Sequence, residues 1–301
     1  MGPVAAAPGV RHGDDVRQQR DLHRRPLHRR SSVTTNALHE WARAYLLSDE
    51  LSVKFAPPPP PSITDNDPIA TACPALRPGR PREFTRIERA EKSPKAGALR
   101  DPKKRAWLFH TFMHHELQAA ELMAWAIVAF ADTPAAFRRG LASILLEEVR
   151  HMVLYREALE ALGCALGEFG VRDWFWQRVP AAKGPAEFCA VMGLGLEAAN
   201  LDHSMRYARW LREAGDERGA DLQTLIGEEE LPHVRFALHW FKRFAGDTDF
   251  ATWCAHLPPP LSPVLLRGLP LDVERRARAG MDPSFIEQLA SVRFDPKAPR
   301  S

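Results

Sequence analysis

Four glutamates and two histidines recur along this chain in a regular order: Glu116, then Glu148 with His151, then Glu197, then Glu230 with His233. The two pairs share the form Glu-x-x-His, as Glu148-Val149-Arg150-His151 and Glu230-Leu231-Pro232-His233. Residues three or four apart share one face of a helix, so each pair projects from one side. The intervals Glu116 to Glu148 and Glu197 to Glu230 match to within one residue. Each group sits in an otherwise apolar stripe: Phe112, Ala119 and Met123 around Glu116; Leu141, Leu145 and Met152 around Glu148; Met192 and Leu201 around Glu197; Ile226, Val234 and Phe241 around Glu230. Turning an unpaired carboxylate into an apolar interior costs on the order of several kcal/mol. No Lys or Arg lies on these stripes to offset that cost. Two divalent cations would neutralise four carboxylates, and the two imidazoles would complete their shells. A lone Glu-x-x-His carries no such meaning. One Glu from each of two helices plus Glu-x-x-His from each of two others is the ligand set of di-iron and di-manganese carboxylate bundles.

Oxygen and nitrogen donors without thiolate suit iron or manganese. Two Fe ions are therefore the expected cofactor, with Mn as the alternative, and six protein ligands leave positions open for O2. Glu148 and Glu230 are the expected bridges, with Glu116 and Glu197 terminal. Asn200, three residues after Glu197, is a candidate to orient a ligand or simply to pack. His114 and His115 point away from the Glu116 face and read as solvated or supporting groups. So do Glu121 and Glu147. His203 and His239 fall off the inward stripes and read as structural.

These residues require long helices to carry them. Four apolar-periodic segments span residues 101–131, 134–163, 185–214 and 217–245. Each is about 42–45 Å of helix at 1.5 Å per residue. Asp132-Thr133-Pro134 stops the first and starts the second, with Thr133 as cap and Pro134 at the first helical position. Gly163 ends the second, and Gly215-Asp216 separates the third from the fourth. Short joins make two antiparallel hairpins. Residues 164–184 contain Gly167, Gly170, Pro180 and Gly184 and cannot form one helix. They have the length to run from one end of a bundle to the other. The expected fold is all-α: a ferritin-like four-helix bundle with one long crossover, flanked by Pro-rich arms. Trp174, Phe175 and Trp176 are expected to pin the crossover to the bundle, Trp174 and Trp176 serving as anchors before electron conduits.

The domains follow: a disordered tail over 1–34, a short helix and Pro-rich arm over 35–100, the bundle over 101–256 and a Pro-rich cover over 257–301. The arm begins with a helix near 36–48 capped by Asn36. The cover holds one near 284–293, capped by Asp282. With 301 residues, 45% of them hydrophobic, the chain can bury a large core. The net charge of +3 is concentrated in the Arg-rich tail, so neither a nucleic-acid nor a membrane partner is expected. Cys73, Cys164, Cys189 and Cys254 are scattered without a CxxC pair and read as reduced thiols of a cytoplasmic protein. The order of charged and apolar residues at the start is wrong for a secretory signal.

The stretch His114-His115-Glu116-Leu117-Gln118-Ala119-Ala120-Glu121-Leu122, with Glu147-Glu148-Val149-Arg150-His151, resembles the domain-of-unknown-function 455 (DUF455) proteins, a branch of the ferritin-like superfamily. Leu38-His39-Glu40-Trp41-Ala42, Lys54-Phe55-Ala56-Pro57 and Pro78-Gly79-Arg80-Pro81 are similar too, and the likeness spans roughly residues 36–256. The resemblance implies the ferritin-like fold and a di-iron site, and assigns no reaction. The radical subunit of ribonucleotide reductase, in the same superfamily, carries a tyrosine at a spacing similar to that of Tyr155 from His151. Tyr155 is accordingly the candidate catalytic residue, a redox tyrosine, against the plainer reading of a core tyrosine with a bonded hydroxyl. Pro232 departs from the pattern. It is expected to kink, break or restart the fourth helix, which would let Glu229 replace Glu230 as ligand. The leading functional expectation is an oxidoreductase using O2, an external reductant and a small-molecule substrate; a homodimer is compatible with it. The alternatives are a ferroxidase or rubrerythrin-like protein handling iron or peroxide, and a metal-free interaction bundle.

Overall fold

A computed structural model describes residues 36–87 and 93–293, so the tail expected to be disordered lies outside the described residues. The described chain is an all-α bundle in which no strand occurs. Helices α1 (Ala37–Leu47) and α2 (Leu51–Phe55) precede the bundle. Its long rods are α3 (Pro102–Ala129), α4 (Ala135–Ala161), a composite third rod, and α7 (Glu217–Ala245). The third rod runs without interruption through α5 (Pro185–Phe188), a π-helical stretch (Cys189–Glu197) and α6 (Ala198–Glu213). Short helices α8 (Phe250–Ala255), α9 (Val273–Arg278) and α10 (Pro283–Ser291) close the C-terminal side. α3 packs along α4, the third rod packs along α7, and α4 meets α7 between the two hairpins.

Local chemistry sets most of the ends. Asp101 caps α3 by accepting from Lys103 N at 2.9 Å, and Pro102 takes the first helical position. Asp216 caps α7 through Gly219 N at 2.9 Å, and Asp282 caps α10 through Ser284 N at 2.8 Å. Asn36 caps α1 by accepting from His39 N at 3.1 Å. Gly163 and Gly215 turn the chain at the hairpin ends with φ of 76° and 82°, a region costly for any residue with a Cβ. The start of α4 departs from expectation. Thr133 does not cap it: its hydroxyl donates to Phe130 O at 2.7 Å. Ala135 N instead donates to Asp65 Oδ1 at 2.6 Å, so the cap comes from the Pro-rich arm.

The arm explains why α3 carries no polar outer face. From Met113 to Ala131 every residue except His115 is buried. The arm binds α3 through Trp125 Nε1, which donates to Pro74 O at 3.0 Å, and through Cys73 N, which donates to Val128 O at 3.1 Å. Fully buried Lys54 meets fully buried Glu121 at 3.0 Å, and Arg80 adds a second cation at 2.9 Å. The crossover docks on the same helix. Trp176 Nε1 donates to Glu121 Oε2 at 2.9 Å, and Gln118 Oε1 accepts from Phe175 N at 3.1 Å. Glu121 is therefore an interior ion-pair centre and not a surface group. His114, expected to be solvated or supporting, is buried; it lies 3.2 Å from Arg80 and 3.2 Å from Gln118, and burial holds its imidazole down at about 3.

Two further departures concern the third rod and α7. A π-helix closes i→i+5 hydrogen bonds, so a 3.6-residue period misphases any side chain beyond it. Gly193 lies within this stretch, and a Cβ there would stand 2.1 Å from the Ala237 Cβ of α7. The glycine allows the rods to approach closely where Glu197 turns inward. Pro232, by contrast, neither breaks nor restarts α7, which is helical on both sides of it. Its ring faces solvent.

Candidate metal centre

All six residues are buried, and Glu148, His151 and Glu230 show 0% exposure. Glu116 comes from α3, Glu148 and His151 from α4, Glu197 from the last position of the π stretch, and Glu230 and His233 from α7. They form two overlapping quartets that could each hold a metal ion. One is Glu116, Glu148, His151 and Glu230; the other is Glu148, Glu197, Glu230 and His233, with ligand atoms in each group within 4.8 Å of one another. Glu148 and Glu230, the expected bridges, belong to both groups. Each quartet thus takes three groups from one hairpin and a single glutamate from the other.

The histidines present the same edge to the centre. His151 Nδ1 lies 3.4 Å from Glu148 Oε2 and 3.8 Å from both Glu116 Oε2 and Glu230 Oε1. His233 Nδ1 lies 2.9 Å from Glu230 Oε2 and 3.2 Å from Glu148 Oε1. Their outer edges are held crosswise. His151 Nε2 is 3.1 Å from Glu229 of α7, and His233 Nε2 is 2.8 Å from Glu147 of α4. A carboxylate on Nε2 keeps the proton there and turns the Nδ1 lone pair inward, which is how a metal-binding imidazole is oriented. Glu229, considered as a substitute ligand, lies in neither quartet; it contacts the outer edge of His151 and also pairs with Arg150. Asn200 Nδ2 donates to Glu230 Oε1 at 3.0 Å, which matches the orienting role considered for it.

Polar atoms at the centre are poorly served by the protein alone. Both Glu148 oxygens, His151 Nδ1 and one Glu197 oxygen are sealed from solvent without an aligned hydrogen bond, and for Glu148 and His151 the contacts left are the ion pairs above. Burial raises Glu116 and Glu197 well above the ordinary carboxylate range, with nearby carboxylates adding to it. Burial works against charge on Glu148 too, but His151 and His233 outweigh it and hold that carboxyl low. Burial would lower the two imidazoles; Glu116 and Glu148 overcome this for His151, and Glu230, Glu147 and Glu148 for His233, so both are raised well above their ordinary value. Protons thereby occupy the space where carboxylate oxygens and imidazole nitrogens converge. A divalent cation would replace them and satisfy the orphaned atoms at once.

Tyr155 borders this cluster: burial, with Glu116, Glu230 and Glu148 nearby, raises its phenol well above the ordinary value. It is buried on α4, its ring lies between Phe109 and Phe112, and its hydroxyl accepts from Gln223 Nε2 at 2.7 Å. His239 is exposed on α7, whereas His203 is partly buried and accepts from Arg206 at 2.9 Å. The crosswise braces Glu147 and Glu229 each immediately precede a ligand glutamate, so the signal was the doubled Glu-Glu of each motif. All four cysteines are free, and none belongs to either quartet.

The family profile described as "Protein of unknown function (DUF455)" matches residues 25–287. The chain belongs to the DUF455 family. No curated protein and no solved structure matches this DUF455 chain in the same comparisons. No helix among the described residues is long and apolar enough to cross a membrane.

Proposed function

We propose that this protein holds two ions of iron or manganese in a ferritin-like di-metal centre and uses them as an O2-dependent oxidoreductase on an organic substrate. The observation that carries the reading is the pair of interlocked quartets whose Glu148 oxygens and His151 Nδ1 have no aligned hydrogen bond. Four carboxylates balance two divalent charges, and the donors are oxygen and nitrogen throughout. Such ions, when bound, supply electrons to dioxygen. Glu148 and Glu230 would span both ions, Glu116 with His151 would complete one shell, and Glu197 with His233 the other. Glu147, Glu229 and Asn200 fix the direction of these ligands. Electrons for repeated turnover would come from an external reductant. Tyr155, the candidate redox tyrosine beside these ligands, fits the plainer role of a core tyrosine, because its hydroxyl accepts from Gln223.

An organic substrate is favoured over iron storage by the cavity beside the centre. It holds about 290 Å3 and is lined by Glu116 and Glu197 together with aromatic side chains. The cytoplasm, as the reducing compartment that would supply electrons, is the proposed location. Elemental analysis of freshly purified protein tests the reading. About two Fe or Mn per chain are expected, and far fewer in Glu148→Gln; a chain without bound transition metal under metal-replete growth refutes it.

A further inference from the structure

The cavity beside the centre is lined by groups of distinct chemistry. Glu116 and Glu197, one from each quartet, belong to its lining. Its sides are flat and apolar: Phe112, Trp174, Phe175 and Tyr207. Phe112 meets Tyr207 edge-on, with centroids 5.0 Å apart, and His115 stacks on Phe175 at 4.9 Å. A volume near 290 Å3 is at the small end of ligand pockets, enough for a single ring with a short side chain.

The lining also carries a fixed cation. Arg206 donates to Leu269 O at 2.9 Å and to His203 Nδ1 at 2.9 Å, and its guanidinium lies over the rings of Tyr207 and Trp210 at 5.1 and 5.3 Å. None of these described partners is a carboxylate, and Arg206 Nε is buried without a hydrogen-bond partner. A cation held by a carbonyl, an imidazole and two aromatic faces keeps its charge uncompensated. His203 is set by the same contact. Because Nδ1 accepts from Arg206, the ring proton sits on Nε2, for which the described residues provide no partner. Burial and Arg206 hold His203 down at about 3, so it stays a neutral donor.

We propose that this cavity binds a small, planar, mostly apolar molecule bearing one anionic group, with Arg206 and His203 holding the anion and the aromatic walls holding the ring. As a substrate assignment it rests on the oxidoreductase reading above; as a binding site it does not. A carboxylate and a phosphate ester both fit the Arg206 chemistry, and their relative affinities tell them apart.

The test measures quenching of tryptophan fluorescence by 3-phenylpropionate, phenyl phosphate and 3-phenylpropanamide, on metal-free and on Mn(II)-loaded protein. At least one anionic probe should bind both forms, with the neutral amide roughly tenfold weaker or more, as for a lost charge-assisted hydrogen bond. Arg206→Gln should weaken the anionic probes by roughly tenfold. It should leave amide affinity and Mn(II) stoichiometry unchanged. Ala199→Leu, which fills the cavity from α6, should remove all three probes and spare the metal. Equal affinity for amide and carboxylate, or an unchanged anion affinity in Arg206→Gln, overturns the proposal. If Mn(II) binds and no probe does, the cavity assignment fails and the metal reading stands. If an anionic probe binds and no metal does, the oxidoreductase reading fails and the anion site stands.

Discussion

Removing a glutamate shared by both quartets should cost twice what removing an unshared one costs. Glu148 and Glu230 contribute to both groups of four, whereas Glu116 and Glu197 contribute to one each. At a free metal concentration a hundredfold above Kd, each occupied site stabilises the fold by about 2.7 kcal/mol, or about 5 kcal/mol for two. For a chain of 301 residues each kcal/mol moves Tm by about 1.6 °C, so metal should raise wild-type Tm by roughly 8 °C. Glu116→Gln and Glu197→Gln should each keep about half of that rise, and Glu148→Gln and Glu230→Gln almost none. The metal-free proteins separate this effect from simple damage. Glu197 is a carboxyl that burial pushes toward its neutral form, so Glu197→Gln should not lower metal-free stability. Glu148 is held ionised by two imidazoles, so Glu148→Gln should lower it. Scanning calorimetry with EDTA or with anaerobic Fe(II) or Mn(II) reads both quantities. The logic fails if wild type shows no metal-dependent rise, or if all four variants lose the same share of it.

Metal-free stability should fall as pH rises from about 6 to about 9, while metal affinity rises. The raised imidazoles of His151 and His233 stabilise the fold below the unfolded value and lose that contribution as pH climbs through their folded values. Glu116 and Glu197, raised by burial, act in the same direction. Glu148, held low, is already ionised throughout this window, so it adds no slope; urea titrations at several pH values check the sign. Tyr155→Phe should cost about 1–3 kcal/mol, because Gln223 Nε2 would lose its buried acceptor. It should leave two metal ions per chain; metal loss would place Tyr155 in the centre after all. Lys54→Met should destabilise the fold by about 3 kcal/mol, the lower end for a broken buried pair, since Arg80 still reaches Glu121. An unchanged Tm in that variant would show that the pair does not hold the arm.

The clustering of these side chains was legible because their spacing follows helix geometry. Glu148 with His151, and Glu230 with His233, are short-range patterns on regular α-helix, and the structure brings them together as read. What escaped the sequence lies where local rules lose their hold. The π stretch before Glu197 changes the period, and no residue there announces it beyond two glycines in an apolar run. α3 reads as apolar nearly all round, so no stripe could show that arm and crossover cover its outer face. The partners that bury His114 and Glu121 lie far away in sequence, at Arg80, Lys54 and Trp176. Asp65 caps a helix 70 residues downstream, which no window of local capping rules can span. Pro232 was expected to kink, break or restart α7; helix continues on both sides of it, and the proline lies on the exposed face.

The crosswise braces have a consequence for how the protein matures. Either half of the bundle, on its own, offers an ion at most three side chains and leaves its own histidine without the carboxylate that aims it. With metal bound as proposed, tight capture would belong to the assembled pair and to no fragment of it, so a nascent chain with only the first hairpin made would have no complete trap to load. The ions would arrive last, and their retention would report that the two halves have closed on each other.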